Sequence, residues 1–532
     1  MKMVKSLLLG SAAGLVAVAG AQAADLPVKA KPVEYVKICS IYGAGFFYIP
    51  GTDTCIKIGG WIRAEYAFQS GNSDVPYILG GGALNNRINS NEYNMRARWV
   101  TSLDVRTQTE YGTLRAYTRA GFETTTGTTT QGRIYTERGF IQFAGFTLGK
   151  SQSYFDFFGG GFCYGRGYTG NSSQTGAAGT LLAAYTATFG NGFTATLSLE
   201  DQFMRRVSAW DAGTDALTIG SQPGPNFIFD SYNTAPPGIA FGDMGATQIP
   251  DIVGSLRVDQ AWGSAQIAGA LHQVRAGYYG NNVDRSAASI FGPGGFTGLA
   301  PDDKYGWAAM AGIVLNIPWN KGDRLWVEGT VAEGAGAYVG WSGSIIGTTN
   351  SYNRFNGGNV AAAWAIDSIF ANIIGPTALS GGAPGASEQH LTRYYSVAAA
   401  FEHYWTPALR TSLFGSYTAA DYNTDATNIF CASPVGPVRT AAGATPNFLT
   451  GPVIGCNPDF SVYNVGLRTI WNPAPQFDIG LEVMYSHVDT RHDANTVRLN
   501  FGGSGGRPQG LYTPSDEGVW SSILRFQRNF WP

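Results

Sequence analysis

The connections between strand-length segments of this chain are alternately short and long. Sixteen such segments run from near Ile56 to the aromatic pair Phe530-Trp531. Tight turns of two to five residues lie at 110–112, 144–145, 190–192, 262–263, 318–322, 406–407 and 472–475. Longer polar or glycine-rich stretches lie at 70–90, 124–132, 152–178, 201–251, 277–303, 334–391, 420–459 and 491–517.

This alternation of seven turns with eight loops is what a closed membrane barrel requires. When both chain ends start on one side of the membrane, all turns lie on that side and all long loops on the other. A soluble sandwich has no reason to keep such an order over fifteen connections. The pattern predicts an all-β fold, a 16-stranded antiparallel transmembrane β-barrel with short periplasmic turns and long extracellular loops. The fifth strand, near 146–151, is the shortest of the set.

Side chains within the segments alternate between polar and apolar. Successive residues of a strand point to opposite faces, so one face can meet lipid while the other lines water. In the second segment, the polar set is Glu92, Asn94, Arg96, Arg98, Ser102, Asp104 and Arg106, and the interleaved set is Tyr93, Met95, Ala97, Trp99, Thr101, Leu103 and Val105. The neighbouring segments place Lys57, Arg63, Glu65, Arg115, Tyr117 and Arg119 on the same polar side. Alternation alone does not exclude a sandwich with an apolar interior.

The N-terminus has the features of an export signal. Lys2 and Lys5 precede a short apolar stretch that ends in the small-x-small site Ala21-Gln22-Ala23. We therefore expect a signal peptide at 1–23, a periplasmic N-terminal segment at 24–55 and the barrel at 56–532. Charged residues make up only 14% of the chain, against about 25% in soluble domains. A formal net charge of −2 gives no reason to expect a nucleic-acid partner.

Sixteen strands imply a channel, because a ring of that size is not filled by its own side chains. The third long stretch, 152–178, is too apolar to lie in water and is predicted to fold inward. There Tyr154, Phe155, Phe157, Phe158 and Phe162 would pack on the inner wall, leaving Asp156 and Arg166 toward the lumen. The inward arginines of the first three strands, Arg63, Arg96, Arg98, Arg115 and Arg119, predict a basic wall. Bracing of the wall by an aromatic loop is the alternative to a constriction.

Several stretches resemble alphaproteobacterial porins. They are YVKIC at 35–39 continuing to Cys55 and IKIGGWIRAEY, TQTEYG at 107–112, SYFDFF in the third loop and the terminal RFQRNF. The resemblance implies an outer-membrane homotrimer of sixteen-stranded barrels, each with a pore for small hydrophilic solutes and ions. It also implies that the third loop narrows the pore, with Asp156 on the acidic side and Arg96, Arg98 and Arg119 on the basic side. The family usually has more acids on this loop, and Trp531 and Pro532 follow the usual terminal aromatic, here Phe530.

Five cysteines in an exported chain predict disulfide bonds. Cys39 and Cys55 would close a small loop, worth about 3 kcal/mol in a chain-entropy treatment. Cys431 and Cys456 lie in one external loop and are natural partners. Cys163 is left over, and the pairing itself is not fixed by sequence.

Other chemistries have weaker support. No CxxC or HxxxH spacing indicates a metal site, no cofactor motif is present, and the glycine-rich stretches do not open helices after strands. The enzyme hypothesis is an outer-membrane lipid hydrolase, with His403 and His487 as its strand-borne candidates. A surface adhesin or receptor is the other alternative to a passive channel. Within the long loop 334–391, whose role the sequence does not reveal, 360–375 is predicted to form a short helix.

Overall fold

The fold is given by a computed structural model that describes residues 37–69, 92–126, 133–157, 161–164, 175, 179–212, 244–277, 300–341, 351–373, 385–434, 436–448, 450–501 and 509–530. The predicted signal peptide, Phe158, Arg166 and Trp531 lie outside these residues. Sixteen strands form the barrel: β1 (Thr54–Phe68), β2 (Tyr93–Thr109), β3 (Gly112–Thr125), β4 (Arg133–Phe143), β5 (Phe146–Ser151), β6 (Thr180–Gly190), β7 (Phe193–Glu200), β8 (Asp251–Gln260), β9 (Gly263–Val274), β10 (Lys304–Asn316), β11 (Arg324–Glu333), β12 (Arg393–Thr406), β13 (Leu409–Asp421), β14 (Phe460–Ala474), β15 (Phe477–Thr490) and β16 (Glu517–Phe530).

The sheet closes on itself. Each strand pairs antiparallel with the next, and β16 returns to pair with β1 in a register that runs from Gly60 opposite Phe530 to Phe68 opposite Ser522. At the closing seam the Phe530 ring lies against Gly60, where an added Cβ would stand 2.7 Å from the ring. Closure pairs the backbone groups that hydrocarbon cannot solvate. The predicted sixteen-stranded antiparallel barrel is confirmed, and β5 is its shortest strand, with six residues.

The tight turns owe their shape to residues that accept positive φ. Ala144 and Gly145 have φ of 48° and 86°, and Asn191 and Gly192 have φ of 48° and 77°. Two successive left-handed residues are the type I′ geometry whose twist matches that of a two-stranded hairpin. A Cβ on Gly192 would also collide with the carbonyl oxygen of Asp259 on β8. Turn and sheet therefore both require glycine at this position.

The two faces of the wall differ in polarity as the alternation predicts. Ile62, Trp99 and Leu197 point outward and are more than half exposed in the isolated chain. Their neighbours in sequence point inward, and among these Trp61 and Arg98 are buried. The outer face is thus apolar enough for lipid, while the inner face carries the charge.

The extracellular loops pack into one layer, which we call the external cap; its segments are 207–212, 335–341, 351–373, 385–392, 422–434, 436–448, 450–459, 491–501 and 509–515. Its single α-helix in the described chain, α1 (Thr424–Ala432), is capped by the side chain of Asn423, which accepts from the Ala426 amide at 2.9 Å. The buried ring of Phe430 in α1 lies 5.6 Å from that of Trp364 and 5.4 Å from that of Trp210. The Cys431–Cys456 disulfide ties α1 to the following loop segment.

The helix predicted at 360–375 is wrong. Asn359–Trp364 and Ile366–Phe370 are strands, paired with Ser351–Asn356 and with Ser208–Asp211 respectively. Apart from Asn359, their side chains are buried on both faces, and residues 360–366 are all apolar, which hides the period of two. In the described part of the chain, no helix is both long and apolar enough to cross a bilayer.

Burial within the cap shifts the titration of two side chains. Asp367 accepts hydrogen bonds from the amides of Gly336 and Val207, yet burial raises its pKa to about 6. Burial also lowers the pKa of His492 to about 4, so that this imidazole is neutral at pH 7. The cap is therefore built mainly by apolar packing.

Residues 37–48 pack against the start of β1 and the end of β2. Cys39 and Cys55 are bonded, and Phe47–Tyr48 pairs with the start of β1. The ring of Phe46 is buried and lies 4.8 Å from the guanidinium carbon of Arg106. Both cysteine pairs singled out in the sequence are thus joined, and Cys163 is outside both bonds.

Candidate functional site

The inward side chains of β1 to β4 are dominated by positive charge. Among the described side chains of these four strands, eight are lysine or arginine and four are aspartate or glutamate. The eight, which we call the basic wall, are Lys57, Arg63, Arg96, Arg98, Arg106, Arg115, Arg119 and Arg138. All five arginines predicted from sequence belong to it.

Glu65 lies at the centre of the extracellular half of this wall. Its carboxylate accepts hydrogen bonds from Nε of Arg96, at 2.6 Å, and from Nε of Arg525 on β16. Arg63 lies 3.6 Å away, with its guanidinium over the ring of Trp61. One buried carboxylate therefore holds three guanidiniums across the seam where the barrel closes.

Arg98 and Arg119 each pair with an acid on the neighbouring strand. Arg98 donates to Glu123 at 2.7 Å, and Nε of Arg119 lies 2.7 Å from the carboxylate of Glu137. Glu137 is almost completely buried, whereas one third of the Arg119 side chain remains exposed. The charge of Arg119 consequently reaches the lumen.

Towards the periplasm, Asp104 binds two arginines with both oxygens. Arg106 donates at 2.8 and 2.9 Å, and Arg115 donates at 2.9 and 3.0 Å. About a quarter of each arginine side chain is exposed. The bidentate geometry holds both guanidiniums flat against the wall.

The loop between β5 and β6, which we call loop 3, follows the inner wall away from these strands. Gln266 of β9 donates to the carbonyl oxygens of Tyr154 and Phe155, both at 3.2 Å. Phe157 packs against Gly312 of β10, and Phe162 stacks on Trp326 of β11 with ring centroids 6.3 Å apart. The aromatic side chains of loop 3 therefore cover β9 to β11.

Tyr164 connects loop 3 to the last three strands, β14 to β16. Its amide donates to Glu482 of β15, and its ring lies 3.6 Å from the guanidinium carbon of Arg525 and 5.0 Å from that of Arg468. Its hydroxyl occupies space left by Gly480, where an added Cβ would stand 2.1 Å from that oxygen. The described residues of loop 3 thus contact β9 to β11 and β14 to β16.

Asp156, predicted to face the lumen as the acidic side of a constriction, is buried. Its carboxylate accepts from the amide and hydroxyl of Thr175 at 2.8 and 2.6 Å, and lies 3.8 Å from Arg205. Glu200 on β7 pairs with the same arginine and accepts from the amide of Tyr154. Asp156 therefore fastens the outgoing part of loop 3 to its returning part.

Some residues of this region were missed in the sequence. Arg525 and Arg468 hold Tyr164, Glu482 binds its amide, and Arg138 extends the basic wall to β4. The alternation of β16 is a signal for Arg525, because Ile523, Arg525 and Gln527 share a face. Its proximity to Glu65 depends on the closing register, which no local pattern reveals.

The two histidines considered for a hydrolase have acidic or aromatic neighbours. Nδ1 of His403 lies 2.7 Å from Asp323, and Nδ1 of His487 lies 3.0 Å from the Tyr485 hydroxyl, with Asp489 3.0 Å from its Nε2. Among the described residues, no group of three or more metal-ligating side chains gathers in one place.

Three known proteins that this chain matches are porins or outer membrane channels. The porin subfamily profile matches residues 25–518. Porin Omp2b of Brucella suis biovar 1 (strain 1330) is 31% identical over 338 residues, covering 58% of this chain and 80% of Omp2b. Porin Omp2b of Brucella neotomae is 32% identical over 305 residues, covering 54% and 69%. The outer membrane channel DcaP of Acinetobacter baumannii superposes with a TM-score of 0.50 at 13% identity, over 91% of this chain and 99% of DcaP.

Proposed function

The chain belongs to the porin subfamily and is an outer-membrane porin, and we propose that solutes cross it between the basic wall and loop 3. Small hydrophilic solutes and ions would pass this gap by passive diffusion. The contacts of loop 3 support the proposal, because its described residues pack on β9 to β11 and on Arg525 of β16, while β1 to β4 keep their charged side chains toward the lumen.

We assign the basic side of the narrow region to Arg63, Arg96, Arg98, Arg115 and Arg119. Asp156 is its acidic member, and we infer that it acts by holding loop 3 in shape through Thr175. Opposing charges at a narrow, partly dry passage select solutes by charge and size. The aromatic side chains of loop 3 would supply the steric limit.

Planar-bilayer recording tests the channel directly. Reconstituted protein should produce stepwise ion currents, whereas an adhesin or receptor with an incidental barrel would insert without them. Family membership points to a channel rather than an enzyme, and we propose that the chain has no hydrolase activity. Release of fatty acid from phospholipid in detergent that is lost in His403→Ala or His487→Ala would contradict this.

Neutralising Arg96, Arg98 and Arg119 together by glutamine should shift the reversal potential in a salt gradient toward cation preference. Three unit charges some 8 Å from the ion contribute about 0.5 kcal/mol each at the permittivity of water, roughly a tenfold change in the permeability of a monovalent anion and the opposite change for a cation, before screening. The control is Arg439→Gln, Arg498→Gln and Arg528→Gln, which removes the same charge from two external loop strands and the outer face of β16.

Heat-modifiable migration in detergent gels would first establish that both triple variants are folded. An unchanged reversal potential in the first variant would place those three arginines away from the narrow region.

We also propose that the protein is a homotrimer, as the resemblance to alphaproteobacterial porins implies. Native mass spectrometry of detergent-extracted protein would measure the assembly. A mass of one chain under mild extraction would contradict the trimer without affecting the channel.

A further inference from the structure

Three arginine pairs lie directly opposite each other across adjacent strands of the basic wall. Register places one pair on β1 and β2, one on β2 and β3, and one on β3 and β4. The pairs are Arg63 with Arg98, Arg106 with Arg115, and Arg119 with Arg138. Directly opposed like charges destabilise a sheet. Three such pairs on three successive strand pairs therefore oppose folding, so their presence needs a reason other than stability.

Carboxylates offset this repulsion only in part. Arg106 and Arg115 share Asp104, and Glu137 lies beside the pair of Arg119 and Arg138. Asp104 thus faces two guanidiniums, whereas Arg138 interacts with Asp156 as well as with Glu137. Around the third pair, four guanidiniums meet two carboxylates: Arg63, Arg96, Arg98 and Arg525 with Glu65 and Glu123. The locations at Arg98 and Arg106 keep an excess of positive charge, and at the middle location Arg119 keeps one third of its side chain exposed.

The three locations are evenly spaced down the wall. On β2 they lie at Arg98, at Ser102, which is opposite Arg119, and at Arg106. Four residues of extended chain separate each from the next, about 13 Å along the strand. Because β2 runs from the extracellular to the periplasmic end, the pairs descend through the pore.

We propose that these three arginine pairs are successive binding stations for small oxyanions, phosphate and phosphate monoesters, on their way through the pore. The inference rests on the proposed channel function and specifies its solute class. Planar guanidinium forks match the oxygens of phosphate, and a station whose positive charge is partly offset by carboxylates binds an oxyanion weakly enough to release it. The exposed parts of Arg106, Arg115 and Arg119 are the contact points.

Inorganic phosphate is the probe. In reconstituted full-length protein bathed in potassium chloride, we expect a reversal potential with chloride preference and a saturable reduction of chloride current as millimolar phosphate is added. Sulfate should act similarly, whereas a neutral sugar of comparable size should not. A conducting channel that prefers cations, or that shows no saturable effect of phosphate, would contradict the proposed binding of oxyanions at the arginine pairs.

Two substitutions of the middle station separate binding from simple electrostatics. Arg119→Gln with Arg138→Gln should lower the chloride permeability and raise the potassium permeability about fivefold each, as expected for two unit charges some 8 Å away in water, and weaken the phosphate effect. Arg119→Lys with Arg138→Lys should preserve the permeability ratio but still weaken the phosphate effect, because an ammonium lacks the fork. Equal phosphate effects in the lysine variant and the parent protein would contradict binding by guanidinium pairs.

The matched control is Arg439→Gln with Arg498→Gln, an opposed arginine pair on loop strands outside the barrel. It removes the same charge and should leave the phosphate effect unchanged. Since Glu137 is buried beside Arg119, the pair Arg106→Gln and Arg115→Gln provides a second station variant if the first does not fold. Absence of any current from the parent protein would instead reject the proposed function.

Discussion

Glu65→Gln is expected to lower the free energy of unfolding by about 3–5 kcal/mol, the usual loss when one member of a buried ion pair is removed. Glu65 is 4% exposed and binds Arg96 and Arg525, with Arg63 close by. Without the carboxylate, three guanidiniums repel one another across the β16–β1 seam. Denaturant titration in detergent, followed by heat-modifiable gel migration, measures the loss.

The control for this substitution is Asp259→Asn on β8. Asp259 also binds an arginine, Arg257, with two hydrogen bonds of 2.8 Å, but half of its side chain is exposed. Exposed pairs contribute about 0–1 kcal/mol, so the barrel should hardly change. If both substitutions lowered the free energy of unfolding equally, Glu65 would not be stabilising the seam.

Gly480→Val is expected to release loop 3 from its seat on β15. The new Cβ would overlap the Tyr164 hydroxyl, so the ring must leave Arg525 and Arg468. Losing contacts worth about 1–2 kcal/mol shifts the seated fraction roughly tenfold. Cys163, next to Tyr164, is 9% exposed and is the cysteine outside both disulfides. Its labelling by a small maleimide should accelerate about tenfold.

Gly254→Val serves as the matched control, because nothing lies within 4 Å of the added Cβ at that strand glycine. Its labelling rate should equal that of the parent protein. If Cys163 reacted at the same rate in Gly480→Val, the contact between Tyr164 and β15 would be ruled out as the seat of loop 3.

The barrel could be predicted from sequence because its signals are local. Turn chemistry at 144–145 and 190–192, and alternation along β2, depend on neighbouring residues only. The strands of the external cap gave no such signal, since Ile366–Phe370 is buried on both faces and resembles an apolar helix. Local periodicity fails where a strand has no polar face.

The candidate site was predictable in composition but not in arrangement. The inward arginines follow from alternation, yet the opposition of Arg63 to Arg98 and the approach of Arg525 to Glu65 depend on register. Asp156 was predicted to face the lumen because the aromatic residues around it were expected to pack on the inner wall. Its bonds to Thr175 join two parts of one loop, a contact that sequence does not encode locally.

The packed external cap limits how the cell-facing surface can evolve. Surface loops generally tolerate substitution because few contacts constrain them. The interior of this layer contains Trp364, Phe430 and the Cys431–Cys456 bond. Replacing them would destabilise the fold of the layer and not only change its surface. Sequence change should therefore concentrate at protruding positions such as Ile454, which is 83% exposed, and leave the residues beneath unchanged.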